Sequence, residues 1–293
     1  MTYRPEDTPI GLDLVRSLLT VHFPCWAEFP ITEFQPGGTQ NAVFRLGGEL
    51  CVRLPRRPRA AVRLEKELRW LPIIGPQISV LEIPSPIARV GPTKLFGMPW
   101  AIYRWIEGER FTLEQSLDNR EAAQRLASFL AVFRRIDPAD APLSQLNISH
   151  VTRDREVRRA IGLIGNIIDQ KQATAVWERS LSVLKHTGPM VWTHGDLLDT
   201  NLLLRHGRLA GIIDFGYAGM GDPAFDLFPA WSVFDAEGRE AFRRALDVDD
   251  STWLRGRGFA LHTMLTMAAE HLQRGRSVAN AVYMAKAVLS DHS

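Results

Sequence analysis

The sequence predicts an α+β protein with a small β-rich N-terminal part and a larger helical C-terminal part. Three observations predict it. Short runs of β-branched and aromatic residues, broken by glycine turns, crowd the N-terminal third. From Phe111 onward apolar residues recur at i, i+3, i+4 and i+7 over long stretches. With 293 residues, the chain is long enough to bury two sizeable cores.

The elements read in order. Thr8 to Phe23 carry Ile10, Leu14, Val15, Leu18, Leu19 and Val21 at helical spacing, an amphipathic opening helix. Phe29 to Gln35 reads as a strand, 36–41 as a tight turn, and Ala42 to Leu46 as a second strand. Gly47-Gly48 turns the chain into a third, Leu50 to Leu54, completing an antiparallel meander. Arg56, Arg57 and Arg59 read as a solvated basic turn, followed by a helix from Arg63 to Ile74. Pro84 to Pro92 and Gly97 to Trp105 are two further strands. Helices then follow at 121–133, 154–168, 174–184, 239–246, 251–272 and 277–290. Pro138 to Val151 is a polar connection that either contacts a substrate or bridges helices. Asp222 with Pro223 is a helix-start signal.

Composition narrows the function classes. Hydrophobic residues make up 45% and charged residues 23%, as in an ordinary globular protein. The net charge of +2 is too small to argue for nucleic acid. No apolar run approaches the roughly 18 residues of a membrane span, and Met1 to Asp7 have no signal-peptide core. Cys25 and Cys51 form neither a disulfide framework nor a metal-ligand pattern, so a cytoplasmic protein is expected. No G-x-S-x-G, P-loop or H-E-x-x-H motif is present.

The chemistry concentrates between Val191 and Leu227. Asp196, Asn201 five residues on and Asp214 eighteen residues after Asp196 each follow or flank a short apolar strand pattern. Such a trio suits phosphoryl transfer from a Mg²⁺-bound nucleotide. Mg²⁺ takes oxygen ligands, which Asn201 and Asp214 supply, and keeps phosphates and water for the rest. Asp196 is then left to accept or orient the proton of an attacking hydroxyl. Protein kinases divide the work in this way among an Asp, an Asn five residues later and an Asp-Phe-Gly, which is the tripeptide Asp214-Phe215-Gly216.

His194-Gly195-Asp196 with Asn201, then Ile213-Asp214-Phe215-Gly216, then Gly221-Asp222-Pro223-Ala224-Phe225-Asp226-Leu227, together resemble the aminoglycoside phosphotransferase (antibiotic kinase) family, with macrolide phosphotransferases as close relatives. The resemblance implies a two-lobed protein-kinase-like fold, a nucleotide-binding lobe at 1–104 and a catalytic and acceptor-binding lobe at 105–293. It implies ATP or GTP as donor, Mg²⁺ as cofactor and a small-molecule acceptor, most simply an aminoglycoside inactivated by phosphorylation. It places the phosphate-binding cation at Arg53 and that cation's acidic partner at Glu67, with Glu65 a competitor for the same task. Gly38 and Thr39 would cover phosphates, and the backbone of Arg104 to Ile106 would meet the nucleobase at the hinge. Asp226 would support the catalytic loop structurally.

Acceptor identity is left open. A polycationic acceptor needs carboxylates, for which Asp199 and Glu270 are candidates, although an exposed helix carboxylate explains Glu270 equally. Leu197-Leu198 with Met264 and Met267 would suit a macrolide or fill the core, and an amino alcohol or sugar kinase is a further alternative. Residues 105–293 hold 22 basic and 24 acidic groups, a lean towards a cationic acceptor. Three other readings carry less. Gly219 to Ala224 matches a dinucleotide-binding pattern but lacks the surrounding βαβ alternation. A metal hydrolase would need His194, Asp196, Asp214 and His262 to converge. A non-catalytic scaffold would be expected to have lost one of the Asp, Asn, Asp set.

Overall fold

The computed structural model describes residues 10–34, 40–138, 140–146, 150–183 and 185–291. The chain divides into two compact units, residues 1–108 with 211–216, and residues 109–210 with 217–293. The chain is α+β, strands gathering in the first unit and helices in the second.

In the first unit, α1 (Leu12–His22) and the single turn α2 (Pro24–Ala27) precede β1 (Ile31–Glu33), β2 (Asn41–Leu46) and β3 (Leu50–Pro55). Next come α3 (Pro58–Ile74), β4 (Pro86–Val90) and β5 (Trp100–Arg104). The five strands form one antiparallel sheet in the order β1-β2-β3-β5-β4, so the expected meander gains two strands. Alternation decides its two faces. Ala42, Phe44, Leu46, Val52, Leu54, Trp100 and Ile102 pack with Val15, Leu18 and Leu19 of α1 in one apolar cluster. A one-residue slip would turn that whole set outward, so burial fixes the register. Cys51 and Arg53 point to the other face, where β5 sets Tyr103 opposite Cys51 and Ala101 opposite Arg53.

The α3 helix begins five residues before the expected Arg63, because Pro58 suits a first helical turn. Of the supposed basic turn, Arg57 is therefore the N-cap and Arg59 lies inside the helix. Its buried positions include Ala60, Leu64, Glu67, Leu71 and Ile74, one stripe at helical spacing with a carboxylate in its middle. Residues 211–216 join this unit through Glu82, whose carbonyl accepts the Ile212 N–H at 2.9 Å.

The second unit holds β6 (Glu109–Arg110), α4 (Asn119–Phe133), α5 (His150–Ile164), α6 (Gln170–Leu181), β7 (Val191–Thr193), β8 (Leu202–Arg205) and the start of β9 (Arg208–Ile212). After these come β10 (Gly219–Gly221), the short α7 (Pro229–Ser232), α8 (Ala236–Leu246), α9 (Asp250–Gln273) and α10 (Ala279–Ser290). Aspartates start four of the helices. Asp118, Asp169, Asp235 and Asp249 each accept a backbone N–H of the first turn of α4, α6, α8 and α9, a cap contributing about 1 kcal/mol. Asp222 caps in the same manner, accepting from Ala224 N–H at 2.9 Å, but the turn that follows, Pro223–Leu227, is 3₁₀ and not α-helical. The α4 helix packs on α8, and α9 packs on α5, α6 and α10. Strands β7 and β10 pair antiparallel and bring Thr193 opposite Gly219. Among the described residues no helix is long and apolar enough to cross a membrane.

Candidate functional site

The second unit builds a loop around Asp196. Strand β7 ends at Thr193, whose hydroxyl donates to the Gly219 carbonyl at 2.9 Å. Two residues later Gly195 takes a left-handed backbone, φ 78°, natural for glycine. A Cβ there would lie 3.3 Å from Leu146 Cδ1 and 3.4 Å from Tyr217 Cβ. The carboxylate of Asp226 grips this turn from below. Its Oδ2 accepts the His194 N–H at 2.7 Å and its Oδ1 the Gly195 N–H at 2.8 Å. Burial pushes the Asp226 carboxyl above its ordinary range, against the pull of those two amides and of Arg134. The buried His194 ring accepts the Asp196 N–H on Nδ1 at 3.2 Å, which fixes the ring proton on Nε2.

The five-residue spacing from Asp196 to Asn201 closes a small circuit. A 3₁₀ turn at Asp199–Asn201 brings the chain back, and Asn201 Nδ2 donates to both the Asp196 carbonyl at 2.8 Å and Asp196 Oδ2 at 3.0 Å. That assignment turns Asn201 Oδ1 outward from the pair as a neutral hard oxygen.

The first unit carries a second constellation, on the sheet face away from the α1 core. Arg53 Nη1 lies 2.8 Å from Glu67 Oε2, and the Tyr103 hydroxyl donates to the same oxygen at 3.2 Å. The guanidinium also sits 5.1 Å over the Tyr103 ring. Burial draws the Arg53 pKa down, but Glu67, Tyr103, Asp214 and Cys51 together hold it above the ordinary value, so the cation stays charged. Burial pushes Glu67 up while Arg53 and the Phe215 N–H pull it down. Tyr103 is driven well above its usual range by burial and by Glu67, so it remains a donor. Burial likewise pushes the Cys51 thiol up to about 11, leaving it an inert apolar neighbour. Glu65 takes a different partner, Arg89.

Asp214 belongs to this constellation through its field on Arg53 and Glu67. Its φ of 65° is left-handed, uncommon for a non-glycine residue and a conformation that concentrates at functional sites. Gly216 packs closely beside it, since a Cβ there would lie 3.1 Å from Arg63 Cβ and 3.3 Å from Asp214 Oδ1. Among the described residues no group of three His, Cys, Asp or Glu side chains forms a metal cage. The Asp214 carboxylate of the first unit and the Asn201 amide oxygen of the second are each the hard-oxygen donor type that suits Mg²⁺, which takes few protein ligands. The hydrolase set is not assembled. His262 bonds Glu156 and Arg153, and His194 is occupied with the Asp196 N–H.

The remaining expectations are placed as follows. Gly38 and Thr39 lie outside the described residues. At the end of β5 the Arg104 N–H donates to Ser85 O at 2.9 Å and the Trp105 N–H to Glu49 O at 2.7 Å. Both donors are therefore taken, and the Ile106 N–H has no acceptor among the described residues. Asp199 starts the 3₁₀ turn, and its carbonyl accepts the Leu202 N–H. Glu270 is exposed on α9, 2.8 Å from Arg274, in a groove of about 340 Å³ with Glu156, Arg159, Thr266 and Gln273. Among the described residues Asp199 and Glu270 do not contact each other. Leu197 and Met264 are buried, so both fill the core. Sequence reasoning missed Tyr103, although its strand position beside Cys51 and Arg53 signalled a shared face. It also missed the buried Asp222–Arg255 pair at 2.9 Å, which no pattern signals because Arg255 reads as one more helix cation.

Comparison with known proteins points one way. Residues 31–259 match the model of the phosphotransferase enzyme family. A 63-residue stretch, 22% of this chain, is 38% identical to an aminoglycoside 3'-phosphotransferase of Escherichia coli and spans 23% of that relative's length. The GDP and kanamycin complex of APH(2")-IIia superposes with a TM-score of 0.71 at 18% identity, covering 95% of this chain and 99% of that one. The apoenzyme of the macrolide 2'-phosphotransferase MphH from Brachybacterium faecium gives 0.64 at 19% identity, covering 97% and 100%.

Proposed function

This chain belongs to the phosphotransferase enzyme family, and we propose that it moves the γ-phosphoryl group of ATP or GTP to a hydroxyl of an aminoglycoside. The carrying observation is the Asp196–Asn201 circuit, in which one amide fixes both the carbonyl and a carboxylate oxygen of Asp196. A carboxylate so oriented receives the proton of the acceptor hydroxyl while that oxygen bonds to the γ-phosphorus. The bond from phosphorus to the β–γ bridging oxygen breaks, and the nucleoside diphosphate leaves with the electron pair. Asn201 Oδ1 and the Asp214 carboxylate are the oxygens assigned to Mg²⁺. When bound, Mg²⁺ neutralises charge on the phosphate oxygens. Arg53, kept charged and oriented by Glu67, grips phosphate in a fixed fork. The Ile106 N–H is the donor for the base edge, and Gly38 and Thr39 cover the phosphates.

Support for a cationic acceptor comes from the local identity to an aminoglycoside kinase and from the exposed Glu270 and half-buried Glu156 carboxylates in their groove, with Asp199 beside the catalytic loop. Of the apolar candidates for a macrolide, Leu197 and Met264 are buried, while Leu198 and Met267 are half-buried. The free cysteines, one of them exposed, and a nucleotide donor suit a reducing cytoplasm. The test is a mass-spectrometric screen for a one-phosphate gain. It uses Mg²⁺ with ATP or GTP against aminoglycosides, macrolides, amino alcohols and sugars, and Asp214→Ala as control. An aminoglycoside product absent from the control is expected. A product confined to another class replaces the acceptor assignment. Bound nucleotide with no product from any acceptor favours a scaffold and overturns the proposal.

A further inference from the structure

The connection after Asp137 has a task that the phosphotransfer set does not use. Residues 142–144 pair with Met220 of β10. Met220 N–H donates to Pro142 O at 2.8 Å and Ser144 N–H to Met220 O at 2.9 Å. Only glycine fits between them at position 219, where a Cβ would lie 2.8 Å from Pro142 O. This pairing carries the Leu146 side chain onto Gly195, the left-handed residue immediately before Asp196.

Leu146 is in turn held from α5. Arg153, buried at 3% exposure, donates Nη2 to the Leu146 carbonyl. Its guanidinium lies 5.5 Å over Phe225 and 4.7 Å over Phe259. Its Nη1 stands 3.3 Å from His262 Nδ1. A guanidinium only donates, so Nδ1 accepts, and the ring proton on Nε2 goes to Glu156 Oε2 at 2.8 Å. His262 and Glu156 thus fix the direction in which Arg153 reaches. Burial lowers the Arg153 pKa to about 10, partly offset by Glu156 and Asp222, so the group is charged at neutral pH. A buried cation is expensive where apolar packing would serve stability as well. Its placement two contacts from Asp196 gives it a geometric purpose.

We propose that Arg153 is a positioning residue for Asp196, acting through the Leu146 main chain and the Leu146 side chain on Gly195. The kinetic part of the test rests on the phosphotransfer reading; the exchange part does not.

The experiment compares wild type, Arg153→Met, Leu146→Ala and the double variant by kcat, nucleotide KM and amide hydrogen exchange over residues 193–198. Arg153→Met is expected to lower kcat about 10–100-fold, as misplacement of a catalytic group does, with nucleotide KM unchanged. Exchange over 193–198 should quicken while the middle of α9 keeps its protection. Leu146→Ala should do the same, and the double variant should be no worse than Arg153→Met alone, since both lie on one path. Unchanged exchange over 193–198 in either single variant overturns the proposal, as do additive losses. Leu146→Ala leaves the buried cation in place and decides the matter if Arg153→Met does not fold. If wild type transfers no phosphate, the exchange measurements still decide it, and that failure counts against the phosphotransfer reading alone.

Discussion

Arg53→Met removes a guanidinium and keeps most of its apolar stem. The pair it breaks is buried, with side chains 12% and 1% exposed for Arg53 and Glu67. What remains is the Glu67 carboxylate with only the Tyr103 hydroxyl at 3.2 Å and the Phe215 N–H. Losing one member of such a pair costs about 3–5 kcal/mol, because the other charge stays buried without compensation. Burial already pushes Glu67 upward against the pull of Arg53, so without Arg53 it rises further and binds a proton in the folded state. The folded protein then holds more protons than the unfolded chain. Stability is therefore fully present below the unfolded carboxylate range and is lost as pH rises through the raised folded value. Urea unfolding followed by tryptophan fluorescence, at about pH 5 and about pH 8, reads this directly as a midpoint shift at constant slope. Arg53→Met should be markedly weaker at the higher pH, and Arg53→Met/Glu67→Gln should recover most of the loss. Arg53→Met within about 1 kcal/mol of wild type at the higher pH, well under the loss expected for a buried pair, would refute the reasoning. So would a double variant no more stable than Arg53→Met.

Three further outcomes follow from the loop and its supports. Asp196→Ala should lower kcat by about 10²–10⁴ if its carboxylate takes the acceptor proton, and a wild-type rate in steady-state kinetics removes that role. Asp226→Asn turns one acceptor into a donor facing a buried N–H. It should cost about 2–4 kcal/mol, a charge-assisted bond and an orphaned donor less the relief of a buried charge, and an unchanged urea midpoint contradicts it. Burial, ahead of Arg153 and against Glu156, holds the His262 pKa below 6.5. The unfolded chain therefore binds that proton first, and stability is lost as pH falls from about 6.5 through the lower folded value. The stability advantage of wild type over His262→Gln should shrink between about pH 7.5 and about pH 5; a constant difference in urea midpoints argues against a buried neutral imidazole.

What was legible in the sequence is what local rules govern. Period-two alternation at Ala42, Phe44 and Leu46 and at Val52 and Leu54 gave the sheet and its buried face. Period-3.6 stripes located the long helices, with ends displaced by up to five residues. The Asp196, Asn201 and Asp214 set was readable because loop chemistry ties residue type to spacing: an amide five residues on is what returns to a carboxylate through one 3₁₀ turn. Glu67 against Glu65 was not readable, because two glutamates on one helix differ only in which faces inward, and tertiary packing settles that. The loop-supporting role of Asp226 came only from the resemblance, while Tyr103 reaches Glu67 across 36 residues of chain and Arg153 meets His262 across 109. No local pattern encodes such separations. The helix start at Pro58 was missed for the opposite reason, an arginine-rich stretch read as a turn when its proline supplied an N-terminal signal.

The buried charges of the helical unit share a destination. Asp226 holds the His194 and Gly195 amides. Asp222 caps the turn that carries Asp226 and is itself fixed by Arg255, 4% exposed, at 2.9 Å. Arg134 donates to Pro223 O in the same turn at 2.8 Å. Arg153 reaches Leu146, which rests on Gly195. Apolar residues of similar size would commonly give equal or greater stability than such groups, so packing alone does not account for their gathering around one tripeptide. Hydrogen bonds fix direction as well as distance, which dispersion contacts do not. Under the proposed reaction the Asp196 carboxylate needs its direction fixed, and each of these groups holds the chain beside it. The same logic explains why the left-handed turn at Gly195 has its two amides bonded to a carboxylate instead of a carbonyl. An ionised acceptor shortens and strengthens both bonds, which suits the role proposed for Asp196.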